Sequence, residues 1–167
     1  MALSLGKQRG LRALADDRGI IAALAIDQRS ALRKLFAKAS GRDLDNIPVE
    51  WLVQFKEKVS QVLTPYASAI LLDPEVGLPA ASRRAKDAGL LLAYEESGYD
   101  RSVPGRLPRL LDKYTAARLK QAGADAVKVL LYYSPFSAAE INARKQTWVE
   151  RVGAECRDAD LPFSLKS

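Results

Sequence analysis

Short apolar runs alternate with longer amphipathic segments along the chain. The runs GIIAALAID, ASAILLD, LLLAYEE and AVKVLLYY are each bounded by turn residues, as is typical of strands buried on both faces. The segments between them repeat apolar residues at helical spacing, and several end in glycine. The pattern therefore predicts a parallel α/β fold with four strands and the start of a fifth at LPFSLKS.

The same pattern predicts where the elements begin and end. We expect helices over residues 3–14, 31–39, 49–63, 78–88, 110–122 and 138–159, and a polar loop over 97–109. A glycine, Gly89, should stop the fourth helix. The third helix should pack on the sheet, because its apolar residues lie broadly on one side: Val49, Leu52, Val53, Phe55, Val59, Val62 and Leu63.

Lys128 is the single charge inside the fourth apolar run. Side chains alternate along a strand, so Lys128 should share a face with Leu130 and Tyr132, opposite Val127 and Val129. Burying an ammonium is costly unless it is paired, deprotonated or facing a wet pocket. Its position favours a functional role, and the alternative is a strand-end lysine that reaches solvent.

The amino-acid composition limits which catalytic groups the chain can use. The chain has 167 residues, 48% of them hydrophobic and 28% charged, which suits a single domain over 1–167. One cysteine excludes an internal disulfide, and the absence of histidine removes the commonest metal ligand and general base. Lysine, carboxylate and tyrosine chemistry remain, and we expect neither a metal nor a cofactor.

Charge and hydropathy indicate the class of partner. No apolar stretch has membrane-spanning length, and the N-terminus lacks the hydrophobic region of a signal peptide, so we expect a cytoplasmic protein that does not bind membranes. The net charge of +6 is spread along the helices. It suits a small anionic substrate such as a sugar phosphate better than nucleic acid, although a basic nucleic-acid-binding module is the alternative.

Two parallel architectures fit the elements. A doubly wound sheet fits the length, but no turn carries a glycine-rich phosphate loop. A (β/α)8 barrel explains why polar residues recur where strands end: Asp27-Gln28-Arg29, Asp73, Glu95-Glu96, and Lys128 with Tyr132. A barrel needs about 250 residues. The sequence therefore predicts the first half of a TIM barrel, about four βα units and the start of strand five.

Several long segments resemble the tagatose 1,6-bisphosphate aldolase family. They are AIDQRSAL, LTPYASAILLDPEVGLPAA, AGLLLAYEESGYD, PGRLPRLLDKYTAARLKQAGADAVKVLLYYSP and AEINARKQTWVERVGAEC followed by DLPF. The resemblance implies a TIM barrel and a metal-independent class I lyase. Such an enzyme cleaves the ketose bisphosphate to dihydroxyacetone phosphate and glyceraldehyde 3-phosphate through a lysine Schiff base. A sister branch that cleaves sulfofructose 1-phosphate shares LTPYASAIL and is the alternative.

The resemblance also implies roles for individual residues. Asp27 and Lys128 match catalytic positions of the family, and Gln28 matches a substrate-lining position. Arg29 is expected to supply a supporting charge to the substrate. Glu95 is expected in the pocket with Glu96 solvated, because adjacent side chains point in opposite directions. Asp73 is expected only to nucleate a turn before Pro74, and Tyr132 and Tyr133 to pack.

The family pattern changes at the end of the chain. The Schiff-base lysine of the family lies on strand six, which is expected beyond Ser167. Where the family typically reads PFFLE, this sequence reads PFSLKS, with Ser164 in place of an aromatic residue and Lys166 in place of the catalytic glutamate. We therefore expect a truncated aldolase that is inactive as this fragment. The alternative is that Lys128 reacts itself, because GADAVK is similar to the reactive-lysine segment of deoxyribose-phosphate aldolases.

Half a barrel leaves two strands as open sheet edges and exposes apolar faces. We expect such a chain to associate with itself through these edges. A non-catalytic half-barrel that binds a phosphosugar or self-associates is thus a second hypothesis beside the aldolase assignment.

Overall fold

The computed structural model describes residues 3–99 and 101–167, so Asp100, inside the predicted polar loop, lies outside the described residues. Five parallel strands form one sheet in the order β1-β2-β3-β4-β5. The strands are β1 Ala23–Ala25, β2 Ala69–Leu72, β3 Gly89–Ala93, β4 Ala126–Leu130 and β5 Phe163–Lys166. Helices alternate with the strands, and the architecture is a half-barrel, a partial TIM barrel as predicted.

In the described part of the chain, six α-helices connect and cover the strands: α1 Leu5–Leu14, α2 Ser30–Ser40, α3 Val49–Leu63, α4 Leu78–Ala81, α5 Ala116–Gln121 and α6 Ala139–Asp158. Short 3₁₀ turns lie at Leu44–Asn46 and Thr64–Tyr66. The bounds of α1, α2, α3 and α6 agree with the sequence prediction within two residues at each end. Among residues 3–99 and 101–167, no helix is long and apolar enough to cross a membrane.

The two faces of the sheet differ in what covers them. The outer face packs under the helices, through Ile70, Leu72, Leu90, Leu92, Val127, Val129, Leu119, Val152 and Cys156. On the inner face, Leu14 of α1 packs on small and branched strand residues: Ala69, Leu71, Leu91, Ala93 and Ala126. Val127 and Val129 thus lie opposite Lys128, as the strand alternation predicts.

Helix α1 closes the amino-terminal end of the half-barrel. It approaches β3 so closely that a Cβ on Gly89 would lie 2.3 Å from the carbonyl oxygen of Ala13, so only glycine fits there. The amino end of α1 is held from far along the chain. The backbone N–H of Gly6 donates to Oδ2 of Asp160 at 2.9 Å, and the Ser4 hydroxyl donates to the same carboxylate.

The predicted helix over 78–88 is wrong, because α4 is four residues long and Gly89 begins β3 instead of ending a helix. After Ala81, two local side-chain hydrogen bonds and one tertiary hydrogen bond replace the helical ones. The guanidinium of Arg84 donates to the carbonyls of Ala81 and Ala88, and the backbone N–H of Ala85 donates to the hydroxyl of Thr64. These bonds satisfy the backbone in a non-helical turn.

The helix predicted over 110–122 also begins later, at Ala116. Leu110 forms an antiparallel bridge with Glu95, and the N–H of Leu111 donates to the carbonyl of Tyr94, so this segment is extended along β3. Thr115 then caps α5 by accepting from the N–H of Arg118 at 3.2 Å. Pairing with the strand therefore overrides the local helical pattern.

The face that α3 buries differs from the predicted one. Its buried residues are Leu52, Lys56 and Ser60, whereas Val49, Phe55, Val62 and Leu63 are at least two-fifths exposed. Two polar residues join Leu52 on the inward stripe, because Lys56 has an anionic partner beneath the helix. Of the stripe predicted from the sequence, Leu52 is buried and Val53 and Val59 are half-buried, and the other four residues are exposed.

Candidate active site

Lys128 lies at the centre of a charged cluster on the inner face of the half-barrel. Its ammonium donates to Oδ2 of Asp27 at 2.8 Å and to the carboxylate of Glu95. Parallel strands bring the three residues together, because Asp27 follows β1, Glu95 follows β3, and Lys128 lies opposite Ala93 in β4. All three side chains are largely buried, with 16%, 6% and 7% exposed respectively. Three predicted site residues thus meet at one place.

The cluster holds Lys128 in its charged form. Burial opposes the charge, but the attraction of Glu95 and the hydrogen bonds to Asp27 and Glu95 outweigh it, so the pKa of Lys128 is raised above its ordinary value of 10.5. At neutral pH the side chain is therefore an ammonium that can donate hydrogen bonds or a proton. An ammonium has no lone pair and cannot attack a carbonyl.

Arg29 links this cluster to the turn after β2. One terminal nitrogen of its guanidinium donates to the backbone carbonyl of Glu95 at 2.7 Å, and the other pairs with Glu75. Its side chain is 12% exposed. Arg29 therefore holds the backbone of the residue that carries one of the two carboxylates facing Lys128, and its predicted charge toward the substrate stays a prediction.

A fully buried ion pair anchors the same turn. Lys56 of α3 pairs with the carboxylate of Asp73, and neither side chain is exposed. Oδ1 of Asp73 also accepts from the N–H groups of Glu75 at 3.0 Å and Val76 at 2.9 Å. The turn role predicted for Asp73 is confirmed, but the pairing with Lys56 was not predicted. Desolvation lowers the pKa of Lys56 even though Asp73 opposes that effect.

Two polar atoms near the cluster are buried without a partner among residues 3–99 and 101–167. They are Oε2 of Glu95 and Nε of Arg29. Buried polar atoms are normally paired, so this acceptor and this donor are exceptions beside the cluster. Arg29 and Glu75 also line a cleft of about 550 Å³ between α2, the turn after β2 and the segment after β3.

The remaining predicted residues lie outside the cluster. Gln28 is exposed. Glu96 points away from Glu95 and pairs with Arg109 at 2.9 Å, as the alternation of side chains predicts. Tyr132 packs edge to face on Tyr99 with ring centroids 5.2 Å apart.

Two residues of β5 are relevant to the family comparison. Ser164 is paired with Lys128 and Lys166 with Leu130 in the register of β4 and β5, and both β5 residues are exposed. Lys166 therefore places a cation at the carboxyl end of the sheet, where the family resemblance implies a carboxylate.

Sequence reasoning missed Lys56 and Glu75. A signal for Lys56 was present, because it lies four residues after Leu52 and four before Ser60, on one helical stripe. A lysine between two inward positions needs a buried anion, and Asp73 is the carboxylate at the end of the neighbouring strand. Glu75 had no comparable signal, since a glutamate in a turn is usually solvated.

Comparison with known proteins also identifies aldolases. A family model described as DeoC/LacD family aldolase matches residues 21–166. The chain is 53% identical to tagatose 1,6-diphosphate aldolase 2 of Enterococcus faecalis over 167 residues, covering 99% of this chain and 49% of that protein. It is 51% identical to tagatose 1,6-diphosphate aldolase of Listeria monocytogenes over 164 residues, covering 98% of this chain and 47% of that protein. The chain thus spans about half the length of these relatives.

Solved structures support the fold. Fructose-bisphosphate aldolase of Plasmodium falciparum superimposes with a TM-score of 0.67 at 12% identity, over 99% of this chain and 54% of that one. At this identity the likeness concerns the fold alone. The family model, which matches most of the chain, shows that the chain belongs to the DeoC/LacD family of aldolases.

Proposed function

We propose that this chain carries the substrate-binding half of a class I aldolase for tagatose 1,6-bisphosphate. The observation that carries the proposal is the buried cluster of Asp27, Glu95 and Lys128 at the carboxyl ends of the strands, where barrel enzymes place their chemistry. The names of the relatives supply the substrate. The products of cleavage are dihydroxyacetone phosphate and glyceraldehyde 3-phosphate.

The residues of the cluster have distinct roles in this proposal. The Lys128 ammonium donates to a hydroxyl or phosphate oxygen of the sugar, and Asp27 accepts from a hydroxyl or moves a proton. The unpartnered Oε2 of Glu95 accepts a further hydroxyl, and Nε of Arg29 donates to an anionic oxygen. Arg29 and Glu75 support this arrangement through the backbone of Glu95.

We propose further that the 167-residue chain binds the phosphosugar without cleaving it. Schiff-base chemistry needs an uncharged amine that the substrate can reach. Lys128 is held as an ammonium between two carboxylates, and Lys56 is fully buried against Asp73. Neither of these two lysines meets the requirement, which supports the expectation that the reactive lysine of the family is a different residue.

Borohydride trapping tests the catalytic part of the proposal. The folded chain is incubated with dihydroxyacetone phosphate, reduced, and weighed intact, with Lys128→Met beside it. We expect no covalent adduct in either chain. An adduct on the wild-type chain that disappears in Lys128→Met would show instead that Lys128 is the reacting amine.

Isothermal titration tests the binding part independently. We expect tagatose 1,6-bisphosphate to bind the wild-type chain and to bind Lys128→Met more weakly. Sulfofructose 1-phosphate, titrated in the same way, distinguishes the two branches of the family, since the tighter ligand identifies the branch. A chain that binds neither ligand would contradict the proposal.

A second candidate function is self-association of the half-barrel. The sheet has two unpaired edges, β1 and β5, because β1 pairs only with β2, and β5 only with β4, among the described residues. Apolar side chains are exposed beside both edges, with Ile20 at 48%, Ile21 at 47% and Leu165 at 43%. Open parallel edges pair readily with further strands, so we propose that a second copy covers them.

A further inference from the structure

Arg33 is a half-buried arginine of α2 that the roles proposed above do not include. It lies one helical turn after Arg29, the N-cap residue of α2, so the two side chains lie on the same face. Nη2 of Arg33 donates to the backbone carbonyls of Ile47 at 2.9 Å and of Asp45 at 3.5 Å. Its Nε, like that of Arg29, is buried without a partner in the part of the chain that the structure describes. Two neighbouring guanidinium groups thus have the same unpaired donor, although buried polar atoms are normally paired.

Both arginines line the cleft of about 550 Å³ between α2, the turn after β2 and the segment after β3. This volume falls in the range of small-molecule sites. The cleft adjoins the charged cluster, because Arg29 donates from the cleft wall to the backbone carbonyl of Glu95, whose carboxylate binds Lys128. A ligand held at the cluster therefore has a second polar site beside it.

The cleft also contains carboxylates, and their partners decide its charge. Glu75 and Glu96 are each held in an ion pair with an arginine. Asp45 is exposed, so solvent screens its carboxylate, and it contacts Arg33 through its backbone carbonyl. Arg33 has carbonyl partners but no carboxylate partner within the described residues. Its positive charge is therefore the one in the cleft wall that no ion pair compensates.

We propose that Arg33, together with Arg29, binds one of the two phosphate groups of the ketose bisphosphate in this cleft. A guanidinium presents Nε–H and an Nη–H as a fork that matches two oxygens of a phosphate. The first turn of α2 lies in the same wall without a side-chain cap, so its positive end adds to the attraction. The inference rests on the proposed function, which supplies the substrate. Arg33 is then a residue that distinguishes the bisphosphate from a monophosphate.

Calorimetric titrations with tagatose 1,6-bisphosphate, tagatose 1-phosphate and tagatose 6-phosphate test the role of Arg33. Arg33→Met should bind the bisphosphate about tenfold or more weakly than the wild-type chain, as for the loss of a charge-assisted hydrogen bond. It should lose a similar factor for one monophosphate and nothing for the other, because the cleft holds one phosphate group. Equal losses for both monophosphates, or an unchanged affinity for the bisphosphate, would overturn the proposal.

The matched control is Lys34→Met, which removes an exposed charge from the next position of the same helix. It should bind all three ligands as the wild-type chain does, because solvent screens an exposed ammonium that lies outside the cleft. A loss in Lys34→Met equal to that in Arg33→Met would assign the effect to the net charge of α2 and would overturn the proposal.

NMR of the isotope-labelled wild-type chain gives a test that does not depend on the folding of any variant. The Nε–H signals of Arg29 and Arg33 should shift saturably with inorganic phosphate and with the bisphosphate, because both unpaired donors belong to residues that line the cleft. If the bisphosphate binds and neither signal moves, the proposed function stands and this inference fails. If inorganic phosphate moves both signals and the bisphosphate binds no more tightly than phosphate, the cleft is an anion site and the proposed function fails.

Discussion

The ammonium of Lys56 and the carboxylate of Asp73 pair inside the protein, between helix α3 and the end of strand β2, with neither side chain reaching solvent. The pair fixes the turn that carries Glu75, which binds Arg29, which in turn binds the backbone of Glu95. The Lys56–Asp73 pair is thus connected through Glu75, Arg29 and Glu95 to Lys128.

We expect Lys56→Met to destabilise the fold by about 3–5 kcal/mol, because it leaves the buried carboxylate of Asp73 without a cation. Combining it with Asp73→Asn should recover part of that loss, since the amide retains an oxygen for the two turn N–H groups. Urea unfolding measures both. The matched control is Glu57→Gln on the same helix, whose partner Arg83 is 61% exposed, and which should cost less than about 1 kcal/mol. A similar small cost for Lys56→Met would contradict the expectation.

The charged cluster should make the stability of the chain depend on alkaline pH. The folded pKa of Lys128 is raised above 10.5, so its stabilising contribution is fully present below that pH and is lost as pH rises through the raised value. The free energy of unfolding of the wild-type chain minus that of Lys128→Met should therefore shrink above about pH 10.5. Urea titrations at several pH values measure the difference, which also removes the contribution of other titrating groups. A difference in unfolding free energy that stays constant with pH would contradict the stabilising role of the Lys128 ion pairs.

The thiol of Cys156 should be protected by the fold. It is fully buried in α6, and burial raises its pKa to about 11. We expect Ellman's reagent to label the native chain at least about a hundredfold more slowly than the urea-unfolded chain, because labelling requires opening of the helix layer. The double variant Cys156→Ser/Ser97→Cys, which places the thiol in an exposed loop, should react rapidly. Fast labelling of native Cys156 would show that α6 is not docked.

Removing the guanidinium of Arg29 should weaken phosphosugar binding. Arg29→Met should reduce the affinity for tagatose 1,6-bisphosphate by about tenfold or more, since it removes a charged donor and the support of Glu95. Arg12→Met, which removes an exposed charge from α1 at the opposite end of the half-barrel, is the control and should bind normally. Calorimetry measures the affinity of both variants. Equal losses of affinity would indicate a long-range effect of the net positive charge instead of a local binding site.

Self-association should depend on the open edge at β1. We expect Ile21→Lys to weaken the association measured by sedimentation equilibrium by about tenfold, because edge lysines oppose strand pairing. Leu5→Lys is the matched control, since Leu5 is 71% exposed on α1. A wild-type chain that stays monomeric at high concentration would refute the self-association proposal itself.

The strands and the Lys128 cluster could be predicted from the sequence because both follow from local rules. A lysine inside an apolar run must find a partner, and the residues that end parallel strands meet at one edge of the sheet. Asp27 and Glu95 are carboxylates that follow parallel strands, so they could be expected to lie at that edge and to pair with Lys128. The tertiary contacts did not follow from local rules. Leu110 pairs with Glu95 instead of starting a helix, and the N–H of Ala85 donates to the hydroxyl of Thr64 instead of continuing α4.

The buried face of α3 is a second feature that local sequence rules do not predict. Counting apolar residues places Val49, Phe55 and Val62 against the sheet, yet Lys56 and Ser60 lie there. The deciding interaction is an ion pair between residues 17 positions apart in different elements. No periodicity within the helix contains that information.

The order of the strands in the sheet has a consequence for biosynthesis. Because the sheet order repeats the chain order, each new strand finds its neighbour already made, so the sheet can grow from β1 to β5 as the chain leaves the ribosome. Helix α1 is the exception. Its anchor Asp160, which holds Gly6, is made 154 residues later. Helix α1 thus receives this anchor only after strands β1 to β4 have been made.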